Sequence, residues 1–165
     1  MDINKVVIID DFLTDTECNE WIKRHKTLQR ETHVLDKSTI PPTTVEVLFI
    51  HPTQDKKLRK HFDQLHVKII ECDIIPEKLE VDYAEVVRWD DQTWLAEHKD
   101  IHSSKFAIVI YLNDDYQGGK TFLGKTEITP KKGRMVGFYG SQIKHGVTKI
   151  TGTRYTIPLW YKQAK

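Results

Sequence analysis

A chain of 165 residues, 39% apolar and 30% charged, has the profile of one ordinary globular domain that can bury a core without staples. Its formal net charge of +1 provides no field that would draw nucleic acid or an anionic membrane. No apolar run approaches the ~20 residues needed to cross a bilayer.

The opening MDINKVVIIDDF carries acidic residues where a signal peptide would have its apolar stretch. The two cysteines, Cys18 and Cys72, form neither a disulfide framework nor a CxxC site, so a reducing, cytoplasmic setting is expected. There is no internal repeat, low-complexity tract or linker, and residues 1–165 read as a single domain.

In chain order, residues 6–9 are a short β-branched run. Thr14 precedes Glu17 by three residues, a capping-box spacing that predicts a helix ending near Leu28. Residues 31–44 lack periodicity and contain Pro41-Pro42, which predicts a loop long enough to act as a lid. Residues 45–50 read as a strand stopped by Pro52. Leu58, Phe62, Leu65 and Ile69 recur at helical spacing and define the apolar face of a second helix.

After Pro76 the texture changes. Segments such as VDYAEVVRW, KFAIVIYLN, RMVGFYG and TRYTIPLWY are rich in β-branched and aromatic residues and are punctuated by Gly, Asn and Asp. Two helices followed by seven or eight short strands predict an α+β domain, with residues 1–76 as helical support and 77–165 as a β sandwich or small barrel.

Two histidines and a carboxylate on one face of an octahedral ion leave three positions open for a bidentate cosubstrate and dioxygen. His98-Lys99-Asp100 has the right form, because residues i and i+2 of an extended chain project to one side about 6.6 Å apart. His61-Phe62-Asp63 has the same spacing, but it falls on the second helix, where i and i+2 diverge by about 200°. A third ligand could be His102, which continues the H-x-D-x-H face, or His145 at the start of a later extended segment.

The order of features over the last eighty residues is more specific. Trp89 is followed by His98-Lys99-Asp100, then VIYLNDDYQGGKTF, ITPKKGRMVGFYG, His145 and, nine residues later, Arg154 in RYTIPLW. This resembles the prolyl 4-hydroxylase branch of the 2-oxoglutarate- and Fe(II)-dependent dioxygenases, and VVIIDDFLTDTEC resembles that family's opening strand and helix. The resemblance is strong over residues 83–161 and weak over 31–76. It implies a double-stranded β-helix (jelly-roll) core with the N-terminal helices packed on one sheet. It also implies Fe(II) held by His98, Asp100 and His145, with 2-oxoglutarate and dioxygen (O2) as cosubstrates and ascorbate as an accessory reductant. The implied reaction hydroxylates a C–H bond, of a prolyl residue in a peptide or protein, while 2-oxoglutarate becomes succinate and CO2. Arg154 suits the cosubstrate's distal carboxylate, since a guanidinium grips a carboxylate in two prongs, and Tyr111 matches the tyrosine that assists there.

One strip departs from the family. The family's Tyr nine residues before the first ligand is Trp89 here, and Asp90-Asp91-Gln92 replaces its Gly-containing turn. This puts the substrate in question and makes Arg88, Trp89, Trp94 and Trp160 candidates for the substrate wall, with core packing the competing role for Trp160. Gly118-Gly119 is expected to make a tight turn. From this length no added peptide-binding domain is expected, and Trp160 stands where the resemblance would put a second Arg in a nucleic-acid demethylase. A free amino acid or other small molecule is the alternative substrate, and a non-catalytic metal- or ligand-binding module is the alternative class.

Overall fold

The computed structural model describes residues 5–40 and 42–165. Residues 1–4, where the MDIN opening lies, and Pro41 of the Pro41-Pro42 pair fall outside the described residues.

The chain starts with β1 (Val7–Ile9) and α1 (Asp15–Thr27). The capping box forms as its spacing predicts. The Glu17 amide donates to Thr14 Oγ1 at 3.2 Å, and the Thr14 amide donates back to the Glu17 carboxylate at 3.0 Å. Next come β2 (Glu31–Asp36), β3 (Thr43–His51) and α2 (Lys56–Glu71). Asp55 caps α2, and Leu58, Phe62, Leu65 and Ile69 are all buried along one face.

The β-rich part contributes β4 (Leu79–Trp89), β5 (Leu95–His98), β6 (Phe106–Tyr111), β7 (Gln117–Gly118) and β8 (Thr121–Leu123). It continues with β9 (Thr126–Ile128), β10 (Met135–Phe138), β11 (His145–Val147), β12 (Ile150–Thr151) and β13 (Arg154–Gln163).

A seven-stranded sheet runs β1-β10-β6-β13-β4-β3-β2, and a four-stranded sheet runs β5-β11-β8-β9. Both helices cover one face of the larger sheet. There Leu48, Ile50, Val86, Ile108, Ile157 and Leu159 join the helical side chains in the main core. The opposite face looks toward the smaller sheet. Alternation along each strand therefore sorts the residues. Odd positions of β4 (Tyr83, Glu85, Val87, Trp89) and even positions of β13 (Arg154, Thr156, Pro158, Trp160) are turned away from the helices.

Two expectations are corrected. Residues 31–44 are not one loop: 31–36 form an edge strand antiparallel to β3, with Glu31 opposite Val47 and Val34 opposite Thr44. Most side chains of β2 are solvated, so backbone pairing rather than an apolar face holds it, and no periodicity marks it in the sequence. Residues 1–76 are correspondingly not a purely helical support, since β1, β2 and β3 belong to the large sheet. The expected strand over 45–50 extends at both ends, and among the described residues ten strands follow α2 where seven or eight were expected, two of them two-residue strands that pair with each other.

Candidate metal and cosubstrate site

His98 closes β5 and His145 opens β11, and antiparallel pairing places them directly opposite each other. Asp100 lies two residues past the strand end, where its amide donates to the Gly140 carbonyl at 2.9 Å. Ligand atoms of the three side chains all lie within 4.8 Å of one another. One Asp100 carboxylate oxygen is 3.4 Å from His145 Nε2 and 3.9 Å from His98 Nε2.

The tautomers are set by the backbone. His98 Nδ1 sits 2.9 Å from the Ala96 carbonyl and His145 Nδ1 sits 2.8 Å from the Ile143 carbonyl, contacts that require an N–H on each Nδ1. Each Nε2 is then left with a lone pair turned toward the other and toward Asp100, whose second oxygen is buried without a hydrogen-bond partner. Two imidazole lone pairs and an unsatisfied carboxylate converging on one point fit a divalent cation. Gly140 is part of the construction, because a Cβ there would collide with the Asp100 carboxylate.

The triad opens on a cavity of about 570 Å³ between the two sheets. At the far end the Arg154 guanidinium is 2% exposed, packed 5.0 Å from the centre of the Trp89 ring and 5.5 Å from that of Tyr111. Arg154 Nη2 donates to Thr121 Oγ1 at 3.3 Å, and the Tyr111 hydroxyl donates to the same oxygen at 2.5 Å. Arg154 Nε and Trp89 Nε1 are buried without acceptors. A buried cation beside orphaned N–H donors is a site for an anion, since nothing else would repay the cost of burying them. A Cβ on Gly119 would press on Arg154 Cδ at 3.1 Å, so a glycine leaves the guanidinium its place.

The remaining sequence candidates separate. Trp89 and Trp160 line the cavity, and Trp160 stacks on Tyr83 with ring centres 4.3 Å apart. Tyr111 stands behind the lining and reaches it through Thr121. Arg88 belongs to the helix-side face, paired with Glu46 at 3.2 Å and Asp90 at 3.0 Å. Trp94 is 42% exposed and borders a shallow groove with Phe122 outside the main cavity. His102 lies on the surface 3.2 Å from Lys105 Nζ, away from the triad, and His61 and Asp63 stay on α2. Gln92 takes φ of 67° in the turn after Trp89, a left-handed conformation that favours glycine.

Sequence reading missed Glu85, Thr121 and the rim residues Asp36 and Ser38, all of which line the cavity. Glu85 could have been found. In Tyr83-Ala84-Glu85-Val86-Val87 an acid occupies a position that period-two alternation assigns to the same face as Val87 and Trp89. The other three depend on tertiary placement. Described residues on either side of Pro41 are tied at the rim, with Asp36 accepting from the Ser38 amide and hydroxyl and Thr43 Oγ1 donating to the Trp94 carbonyl.

A double-stranded β-helix with a His-x-Asp…His cluster and a buried arginine defines an iron-oxygenase type of protein. Residues 47–162 match the family model of the 2OG-Fe(II) oxygenase superfamily, and the chain belongs to that superfamily. Prolyl 3-hydroxylase 2 of Rattus norvegicus is 34% identical over 65 residues, which cover 34% of this chain and only 9% of that protein's length. Among solved structures, a 2OG-Fe(II) oxygenase family oxidoreductase from Burkholderia pseudomallei superposes with a TM-score of 0.79 at 12% identity, covering 96% of this chain and 87% of the other. A Trichoplax adhaerens prolyl hydroxylase, solved with a hypoxia inducible factor peptide fragment, gives 0.76 at 17% identity over 97% and 84% of the two chains. These structural likenesses speak to the fold.

Proposed function

We propose that the protein is a 2-oxoglutarate- and Fe(II)-dependent hydroxylase acting on a prolyl residue of a peptide or protein. One observation carries the reading. Three metal-ligand side chains converge at one end of a cavity whose other end holds a buried guanidinium with unsatisfied donors.

In this reading His98, Asp100 and His145 would hold iron at the end of the cavity. When bound, iron would let dioxygen act as the oxidant with 2-oxoglutarate as co-reductant, one oxygen atom going to succinate, formed with CO2, and the other to the hydroxylated carbon. The chain's own residues bind, orient and exclude water. Arg154 pairs with the distal carboxylate of the cosubstrate, and Trp89 Nε1–H adds a second donor. Tyr111 holds Thr121 oriented beside the guanidinium. Val45, Val87, Phe138 and Val147 keep the walls dry, which strengthens the buried ion pair. No side chain needs to act as general acid or base.

The test is anaerobic addition of Fe(II) and 2-oxoglutarate, read by the visible charge-transfer band of the chelate. The band should appear in the wild type, vanish in His98→Ala and require far more cosubstrate in Arg154→Ala. Correctly folded, iron-loaded wild type without a band would sink the proposal. Succinate release stimulated by prolyl peptides then tests the substrate.

A further inference from the structure

Once the triad and Arg154 are assigned, the charged side chains left in the cavity wall are Asp36, Glu85 and Glu97. All three are carboxylates. Glu97 is exposed and already paired with Lys144 at 3.5 Å. Asp36, at the rim, accepts two hydrogen bonds from Ser38, which hold its carboxyl below the ordinary range and keep it ionised. Glu85 is different. It is 8% exposed, lines the cavity, and receives no hydrogen bond or ion pair from any described residue.

A largely buried acid with no protein partner carries a desolvation penalty, and because its oxygens are not fully enclosed they open to the cavity. Its position shows which occupant could remove that penalty. Arg154 pairs with Trp89 across β13 and β4, and Glu85 lies four residues back along β4, about 13 Å at ~3.3 Å per residue. It is two residues from Tyr83, whose ring stacks on Trp160. Trp160 in turn pairs with Ala107, beside Gly140 and Asp100. Glu85 therefore faces the triad end of the cavity. The cosubstrate's distal carboxylate belongs with Arg154 at the other end of the cavity, which leaves Glu85 to the substrate. Glu85 is likewise outside the cluster of metal-ligand atoms.

We infer that Glu85 is the cation-binding residue of the substrate subsite, with Asp36 attracting the same charge at the rim. The oxidised C–H bond then belongs to a molecule bearing an ammonium or guanidinium group near its reacting carbon. The inference rests on the oxygenase reading and narrows it to prolyl segments with a basic neighbour, or to a small amine.

The test uses three probes on protein loaded with Fe(II) and 2-oxoglutarate under nitrogen, and again on metal-free protein. They are acetyl-prolyl-lysine amide, acetyl-prolyl-norleucine amide and 1-aminopentane, followed by quenching of the cavity tryptophans Trp89 and Trp160. The lysine peptide should bind the wild type at least tenfold more tightly than its norleucine counterpart, with the ratio falling to about one in Glu85→Gln and partly retained in Glu85→Asp. Competition by 1-aminopentane would place the cation on a small molecule and lack of competition would place it on the peptide; either supports the subsite. Equal affinities of the two peptides, no binding of either cation, or a preference that survives Glu85→Gln would overturn it. The charge-transfer band separates the two levels. A band in wild type and Glu85→Gln without a cation preference rejects this inference alone. A missing band rejects the oxygenase reading, while the metal-free titration still reads the cation.

Discussion

Burial of Glu85 should make the stability of this protein depend on pH in a way that one substitution removes. Desolvation raises the Glu85 carboxyl from 4.5 to about 7, with the charge on His33 opposing. The folded state thus holds this proton more tightly than the unfolded chain. Between pH about 4.5 and 7 the unfolded chain carries fewer protons, so stability falls as pH rises through that window. Below it both states are protonated and nothing is lost, and above it both are ionised and the loss is complete. At ~1.36 kcal/mol per tenfold change in proton affinity, the full loss is about 3 kcal/mol, of which roughly 2.5 falls between pH 5 and 8. Glu85→Gln keeps the shape and cannot ionise. Urea unfolding of both proteins, metal-free in chelator because metal binding itself varies with pH, should show the variant gaining about 2–3 kcal/mol relative to wild type from pH 5 to pH 8. For a domain of this size that corresponds to about 5–10 °C in Tm. Parallel stability curves for the two proteins across this range would refute the argument that Glu85 is a partnerless buried acid.

Other perturbations separate the site from the scaffold. Gly140→Ala should displace the Asp100 carboxylate and weaken Fe(II) binding by at least tenfold in a metal titration, with a Tm change of only a few degrees. Trp89→Phe keeps the ring over Arg154 and removes one donor to a charged acceptor, so the 2-oxoglutarate Kd should rise about tenfold while Fe(II) affinity stays the same. Thr14→Ala should lower unfolding stability by about 1 kcal/mol without touching cosubstrate binding, since it removes only the α1 cap. Phe62→Ala, in the core between α2 and the large sheet, should cost about 3–5 kcal/mol in urea unfolding.

The helices and the candidate ligand pair were legible because their signals are local. Thr14 and Glu17 cap within four residues, Leu58 to Ile69 draw a stripe at helical period, and His98 and Asp100 share a side of an extended chain. Family likeness added His145 and Arg154 to that reading. Local pattern could not supply what depends on strand pairing. The register of β5 with β11 decides that His145 and not His102 meets His98, and pairing with β3 makes an ordered edge strand of the solvated residues 31–36. Strand parity turns Arg88 to the helix side and Trp89 to the cavity, although the two are adjacent in sequence. Glu85 shows both sides at once. Its inward position was written in the alternation of β4, but its lack of any partner is a property of the whole cavity wall, which exists only once both sheets are closed around it.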